Sequence, residues 1–218
     1  MHTLFKLILG FSMTVAASAF AAPAQPIRIL ALGDSLTQGY GVPPGMDFAN
    51  RLERALKAKG LDVSVINAGV SGDTTAGGLA RLDWSLNDPK MAPDAAIVEL
   101  GANDGLRGLD VAAMRANLAA ILGRFEAAGI KTLLAGMKAP PNYGAKYVGE
   151  YAEAFEGLAR EHDVIFYPFF LDGVATQRDL NQADGIHPNE KGVEIVVRNI
   201  LPSVEQLLAR VKPPKQAG

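Results

Sequence analysis

Five short apolar runs, at residues 27–32, 63–67, 95–100, 132–137 and 164–167, constrain this chain more than any other feature. Each is too short for a helix, and each is nearly unbroken rather than alternating throughout as a strand with one wet face would. A strand that is apolar along its length is one covered on both faces. The intervening segments supply the covers. Phe48, Leu52 and Leu56 fall at four-residue steps, and Val111, Met114, Leu118, Ile121, Leu122 and Phe125 trace one stripe behind Asp110, a good helix N-cap. Tyr147, Tyr151, Phe155 and Leu158 form a third stripe. Val193, Val196, Val197, Ile200, Val204, Leu207 and Leu208 form the last, which Pro202 is expected to kink. The alternation predicts an α/β protein: a three-layer α/β/α sandwich on a five-stranded parallel sheet with flavodoxin-like strand order. Its 218 residues, 49% hydrophobic, suit one core.

The N-terminus follows another rule. Lys6 is followed by no charge until Arg28, with Leu7 to Phe11 greasy and the residues after them small. That reads as a secretory signal peptide over 1–22, cleaved near Ala19 and Ala21 or Ala17 and Ala19, which leaves a single domain at 23–218 in the periplasm or outside the cell. An uncleaved membrane anchor is the alternative. The Ala- and Ser-rich second half argues against it, so no stable membrane insertion is expected after cleavage. The chain has no Cys, so an exported form gains no disulfide. A formal net charge of -2 gives no cationic footprint for DNA or RNA, and a monomer acting on a small molecule is expected. The basic, Pro-containing stretch 209–218 reads as a frayed terminus.

In doubly wound sheets the ligand crevice lies beyond the carboxyl ends of the strands. The polar residues that follow the predicted strands are therefore the ones to weigh: "GDS" at 33–35, "AGVSGD" at 68–73, "GAND" at 101–104, "KAPPNYG" at 138–144 and "ADGIHPN" at 183–189. Asp34 and Ser35 either turn the chain or hold Ser35 up for chemistry. A serine is a poor nucleophile without a base, and histidine suits that task near neutral pH. Of the three histidines, His2 lies in the leader and His162 at the end of a polar helix face, which leaves His187. Asp184, three residues earlier, can curl back to orient the imidazole, and Ser35, His187 and Asp184 would then form a triad. Acyl transfer also needs donors aimed at an oxyanion. The Ser35 N–H, the unshielded N–H of Gly72 and the side-chain amide of Asn103 are candidates, with turn and cap roles as their plain alternatives. Leu106, Leu109, Pro140 and Tyr143 are candidates to line an acyl groove, ordinary loop packing being the alternative. Trp84 reads as core or helix packing, and Asp34 as a structural residue of its turn.

"GDSLTQG", "NAGVSGD", "ELGANDG" and "DGIHPN" together resemble the four sequence blocks of the SGNH, or GDSL, hydrolases, in order and along nearly the whole mature chain. The resemblance implies Ser35 as nucleophile, Gly72 and Asn103 as oxyanion donors, and Asp184 and His187 as the rest of the triad. "ELGANDGLRG" and "PPNYG" further resemble secreted bacterial esterases that act as acyl-CoA thioesterase, arylesterase and lysophospholipase. Such relatives place a mobile loop where "GLRG" stands, and a glycine at each end suits one. Ala139, Pro140 and Pro141 depart from their usual segment, so acyl-chain preference does not carry over. The elbow of the α/β-hydrolases does not fit, because Thr37 stands where its second glycine belongs.

An esterase of this kind needs neither metal nor cofactor. Three other readings remain at this point. A dinuclear metallophosphoesterase needs more histidines than survive processing. A nucleotide- or flavin-binding module lacks G-x-G-x-x-G and the P-loop. An esterase for acetylated glycans would keep the chemistry and change the substrate.

Overall fold

The computed structural model describes residues 25–87 and 92–211. The expected leader with its cleavage site, and the tail beyond residue 211, lie outside the described residues. The strands are β1 (Ile27–Gly33), β2 (Val63–Gly69), β3 (Ala95–Glu99), β4 (Lys131–Ala135) and β5 (Ile165–Tyr167). All pair in parallel, in the order β2-β1-β3-β4-β5. This is the flavodoxin-like order that the alternation predicts. β3 is buried along its whole length, as an inner strand covered on both faces must be.

The covering helices are α1 (Ser35–Gln38), α2 (Phe48–Ala58), α3 (Thr75–Asn87), α4 (Ala102–Leu106), α5 (Val111–Ala127), α6 (Gly144–Glu161) and α7 (Glu190–Arg210). Their predicted stripes face inward: Phe48, Leu52 and Leu56, then Leu118, Ile121 and Phe125, then Tyr151, Phe155 and Leu158 are each buried. Asp110 caps α5 by accepting from the Ala113 N–H at 2.7 Å. α7 runs through Pro202 as a single helix. Trp84 is a correction to the expected core role, being 80% exposed. The buried residues of α3 are Thr75, Gly78, Leu82 and Ser85. At about 100° per residue Trp84 falls on the opposite side.

Chain order makes one gap in the sheet special. From β1 the chain goes to β2 on one side, and β3 then returns to the other side of β1. The order reverses between β1 and β3, so a crevice opens past their carboxyl ends. Ser35 follows β1 directly and Asn103 follows β3.

Candidate active site

Ser35 is the first residue of α1, behind Asp34, whose carboxylate accepts the Leu36 N–H at 2.9 Å. The turn is tight because Gly33 lacks a side chain: a Cβ there would collide with Thr37 and the Glu99 carboxyl. His187 arrives from the long connection between β5 and α7. Its Nε2 lies 2.9 Å from Ser35 Oγ, and its Nδ1 lies 2.7 Å from Asp184 Oδ2. The other Asp184 oxygen accepts the N–H groups of Ile186 and His187, both at 3.0 Å. The His187 side-chain bond and these backbone bonds hold the Asp184 carboxyl down to about 2. An ionised Asp184 requires the hydrogen on Nδ1, which leaves the Nε2 lone pair facing the serine hydroxyl.

Two residues that sequence reasoning passed over hold this histidine. The Gln182 N–H donates to the His187 carbonyl at 2.8 Å, while its side-chain amide donates to the carbonyls of Tyr40 at 2.7 Å and Pro188 at 3.0 Å. The Tyr40 ring lies 4.7 Å from the imidazole, centroid to centroid. Their signal was positional: Tyr40 lies five residues past Ser35 and Gln182 five before His187.

Gly72 has φ +83, a conformation glycine takes without strain. Neither its N–H nor that of Ser35 has a protein acceptor among the described residues. Asn103 differs. Its Nδ2 donates to Asp34 Oδ2 at 3.1 Å and to the Asp73 carbonyl at 2.9 Å, so both amide hydrogens are engaged. The loop carrying Gly72 and Asp73 is braced by Arg81, whose Nε donates to Asp73 Oδ2 at 2.6 Å and Nη2 to the Gly33 carbonyl at 2.9 Å. Arg107 Nη2 donates to the Gly72 carbonyl at 3.0 Å.

A cavity of about 780 Å³ opens beside Ser35, His187 and Asn103. Leu106 and Pro140 line it, together with Met137, Ala139, Phe169 and Leu171, four residues that sequence reasoning did not select. Leu109 and Tyr143 do not line it. Leu109 lines a separate groove between α5 and α6, and the Tyr143 hydroxyl donates to the Leu106 carbonyl at 2.9 Å. Tyr143, just ahead of α6, and two tyrosines of α6 work as a ladder along this segment. Tyr147 donates to the Leu109 carbonyl at 2.9 Å and Tyr151 to the Gly101 carbonyl at 2.7 Å. The glycines of "GLRG" serve that packing: a Cβ on Gly108 would collide with the Tyr143 ring, and one on Gly105 would press on Tyr151. Close approach therefore accounts for both glycines without a hinge. His162 stands apart at the end of α6, its Nδ1 3.5 Å from Glu126. Among the described residues no group of three or more His, Cys, Asp or Glu is arranged to hold a metal.

Residues 31–195 match the sequence profile of the GDSL-like lipase/acylhydrolase family. The chain is 38% identical over 180 residues to Esterase TesA of Pseudomonas aeruginosa, spanning 83% of this chain and 89% of that one. It is 37% identical over 188 residues to Thioesterase 1/protease 1/lysophospholipase L1 of Escherichia coli strain K12, spanning 86% and 87%. The crystal structure of AlinE4, an SGNH-hydrolase family esterase, superposes with a TM-score of 0.72 at 45% identity, over 86% of this chain and 99% of AlinE4.

Proposed function

The chain belongs to the GDSL-like lipase/acylhydrolase family and is a hydrolase of ester bonds; from that premise we propose that it cleaves acyl esters and thioesters through an acyl-serine on Ser35. The observation that carries the reading is the continuous bonding from Ser35 Oγ to His187 Nε2 at 2.9 Å and from His187 Nδ1 to Asp184 Oδ2 at 2.7 Å.

His187 takes the Ser35 proton as Oγ attacks the carbonyl carbon, and the carbonyl π-bond opens to a tetrahedral oxyanion. The N–H groups of Ser35 and Gly72 and the Asn103 amide receive that charge. Asp184 keeps the imidazole oriented and stabilises its positive form. Collapse expels the alcohol or thiol, which leaves with the proton from His187. Water, deprotonated by His187, then attacks the acyl-serine, and a second collapse frees the acid and restores Ser35. No step needs a metal or a cofactor.

The apolar wall of Leu106, Met137, Ala139, Pro140, Phe169 and Leu171 supports an acyl chain longer than acetyl, because burying each CH₂ group there gains about 0.8 kcal/mol. Residues 1–22 act in this reading as an export signal, and the mature enzyme is a periplasmic or secreted monomer of one domain.

The test is hydrolysis of p-nitrophenyl esters from acetate to long chains by the mature protein and by Ser35→Ala. Activity that collapses in the variant supports the mechanism, and equal rates overturn it. A rate that peaks at acetate would turn the substrate reading toward acetylated glycans.

A further inference from the structure

Two carboxyl groups meet beneath Ser35 that the reaction above leaves unused. Asp34 and Glu99 are both fully buried, and the sheet register sets Gly33 of β1 beside Glu99 of β3. Asp34 accepts two N–H bonds, from Leu36 at 2.9 Å and from Asn103 Nδ2 at 3.1 Å. Glu99 Oε2 accepts the Thr37 hydroxyl at 2.7 Å and the Asp34 N–H at 3.4 Å, while Glu99 Oε1 has no partner.

Two adjacent anions in so dry a site are far costlier than one. The pair therefore retains a proton, and the donors decide where it sits. Asp34 has the closer N–H donors, one of them on each oxygen, and also faces His187. Glu99 has an oxygen with no donor. Hydrogen bonds to the charged form favour ionisation, so Asp34 is the anion and Glu99 the neutral acid.

The consequence falls on Asn103, whose two amide hydrogens are both engaged in the resting enzyme. To serve an oxyanion the amide must release one of them. A charged acceptor holds an N–H roughly twice as strongly as a neutral one, so the bond to Asp34 stays and the bond to the Asp73 carbonyl is exchanged. We propose that Asp34 is a positioning residue that anchors Asn103 for oxyanion stabilisation, and that Glu99, by staying protonated, leaves Asp34 to carry the pair's single charge.

The surroundings agree. Burial raises Asp34 to about 6, with the Leu36 and Asn103 bonds pulling the other way. Burial, then the Asp34 charge, pushes Glu99 well above the usual carboxylate range. The other ionisable groups around the pair are His187 from the loop before α7, Asp73 from the β2–α3 loop, Arg81 from α3, which bonds the Gly33 carbonyl, and Tyr151 from α6, which also faces Asp104. Arg81 is the permanent cation of this set, and it is bonded to Asp73 and to the Gly33 carbonyl rather than to either carboxyl of the pair.

The proposal rests on the reading of Ser35 and Asn103 above, so its test includes a readout that needs no turnover. Wild type, Asp34→Asn and Glu99→Gln are compared for folding, for kcat and KM on p-nitrophenyl butyrate across pH, and for the infrared C=O stretch of a neutral carboxylic acid at pH 7. Asp34→Asn turns a donor toward Asn103, and kcat is expected to fall about 100-fold with KM little changed. Glu99→Gln exchanges a neutral acid for a neutral amide, so the acid limb of kcat, set by Asp34, is expected to stay in place while the infrared band is abolished. An unchanged kcat in Asp34→Asn, or an infrared band that persists or an acid limb that moves in Glu99→Gln, overturns the proposal. If Asp34→Asn does not fold, Glu99→Gln decides alone. Failure of the serine mechanism itself would show separately, as full activity in Ser35→Ala.

Discussion

The Asp104 carboxylate grips Thr75 twice: one oxygen accepts the Thr75 hydroxyl at 2.7 Å and the other its N–H at 2.9 Å. Asp104 is the neighbour of Asn103, and Thr75 begins the helix that follows Gly72 and Asp73. The bond pair thus sets the distance between two proposed oxyanion donors that lie on different strands' loops. Asp104→Ala leaves a buried N–H and hydroxyl short of an acceptor, which costs about 1 to 3 kcal/mol. The expected outcome in urea unfolding is a lower midpoint with an unchanged slope, and in kinetics a kcat about tenfold lower with a smaller change in KM. Asp104→Asn, which keeps one acceptor, should fall between.

The serine, histidine and aspartate act as a unit, so their losses should not add. Ser35→Ala and His187→Ala are each expected to lower kcat by roughly four orders of magnitude or more, and the double variant by no more than the worse single. Steady-state rates of the three proteins on one p-nitrophenyl ester check this. Additive losses would mean that His187 and Ser35 serve separate steps.

Stability should respond to pH through two groups of opposite sign. Asp184 is depressed to about 2, so what it contributes is present above its ordinary value and is lost only as pH falls through about 2. Asp34 and Glu99 are raised, so their contribution is present at acid pH and is lost as pH rises through about 6 for Asp34 and higher for Glu99. Glu99→Gln should therefore gain on wild type in melting temperature as pH is raised from 5 to 9. A gap between the two proteins that stays constant with pH would contradict it.

The tyrosine ladder makes the Leu106–Leu109 segment a packed wall. Gly108 has φ +60 and lies against the Tyr143 ring. Gly108→Ala is expected to cost about 1 to 3 kcal/mol and to change rates on long-chain esters more than on acetate, because Leu106 lines the cavity. Tyr151→Phe, which removes a buried hydroxyl bond of 2.7 Å, should cost about 1 kcal/mol. Unfolding curves and a chain-length series measure both.

Periodicity alone determined the α/β class, the five strands to within about two residues and the buried stripes of the helices, because burial on both faces of a parallel strand leaves no room for polar alternation. Even so, the run at 132–137 outlasts its strand. β4 ends at Ala135, with one last bond to β5 from the Gly136 N–H to the Tyr167 carbonyl. Residue chemistry singled out Ser35, His187 and Asp184, since the Asp-x-x-His turn is local and few histidines were available. Tertiary structure decided the rest. Asn103 meets Asp34 across 69 residues of sequence and Thr37 meets Glu99 across 62, and those meetings depend on the register between β1 and β3, which no single segment encodes. The cavity wall depends likewise on where Met137 and Phe169 leave adjoining strands. Trp84 took the outer side of α3 because the phase of a helix is set by the surface it packs on, and a weak stripe leaves that phase open until the sheet is in place.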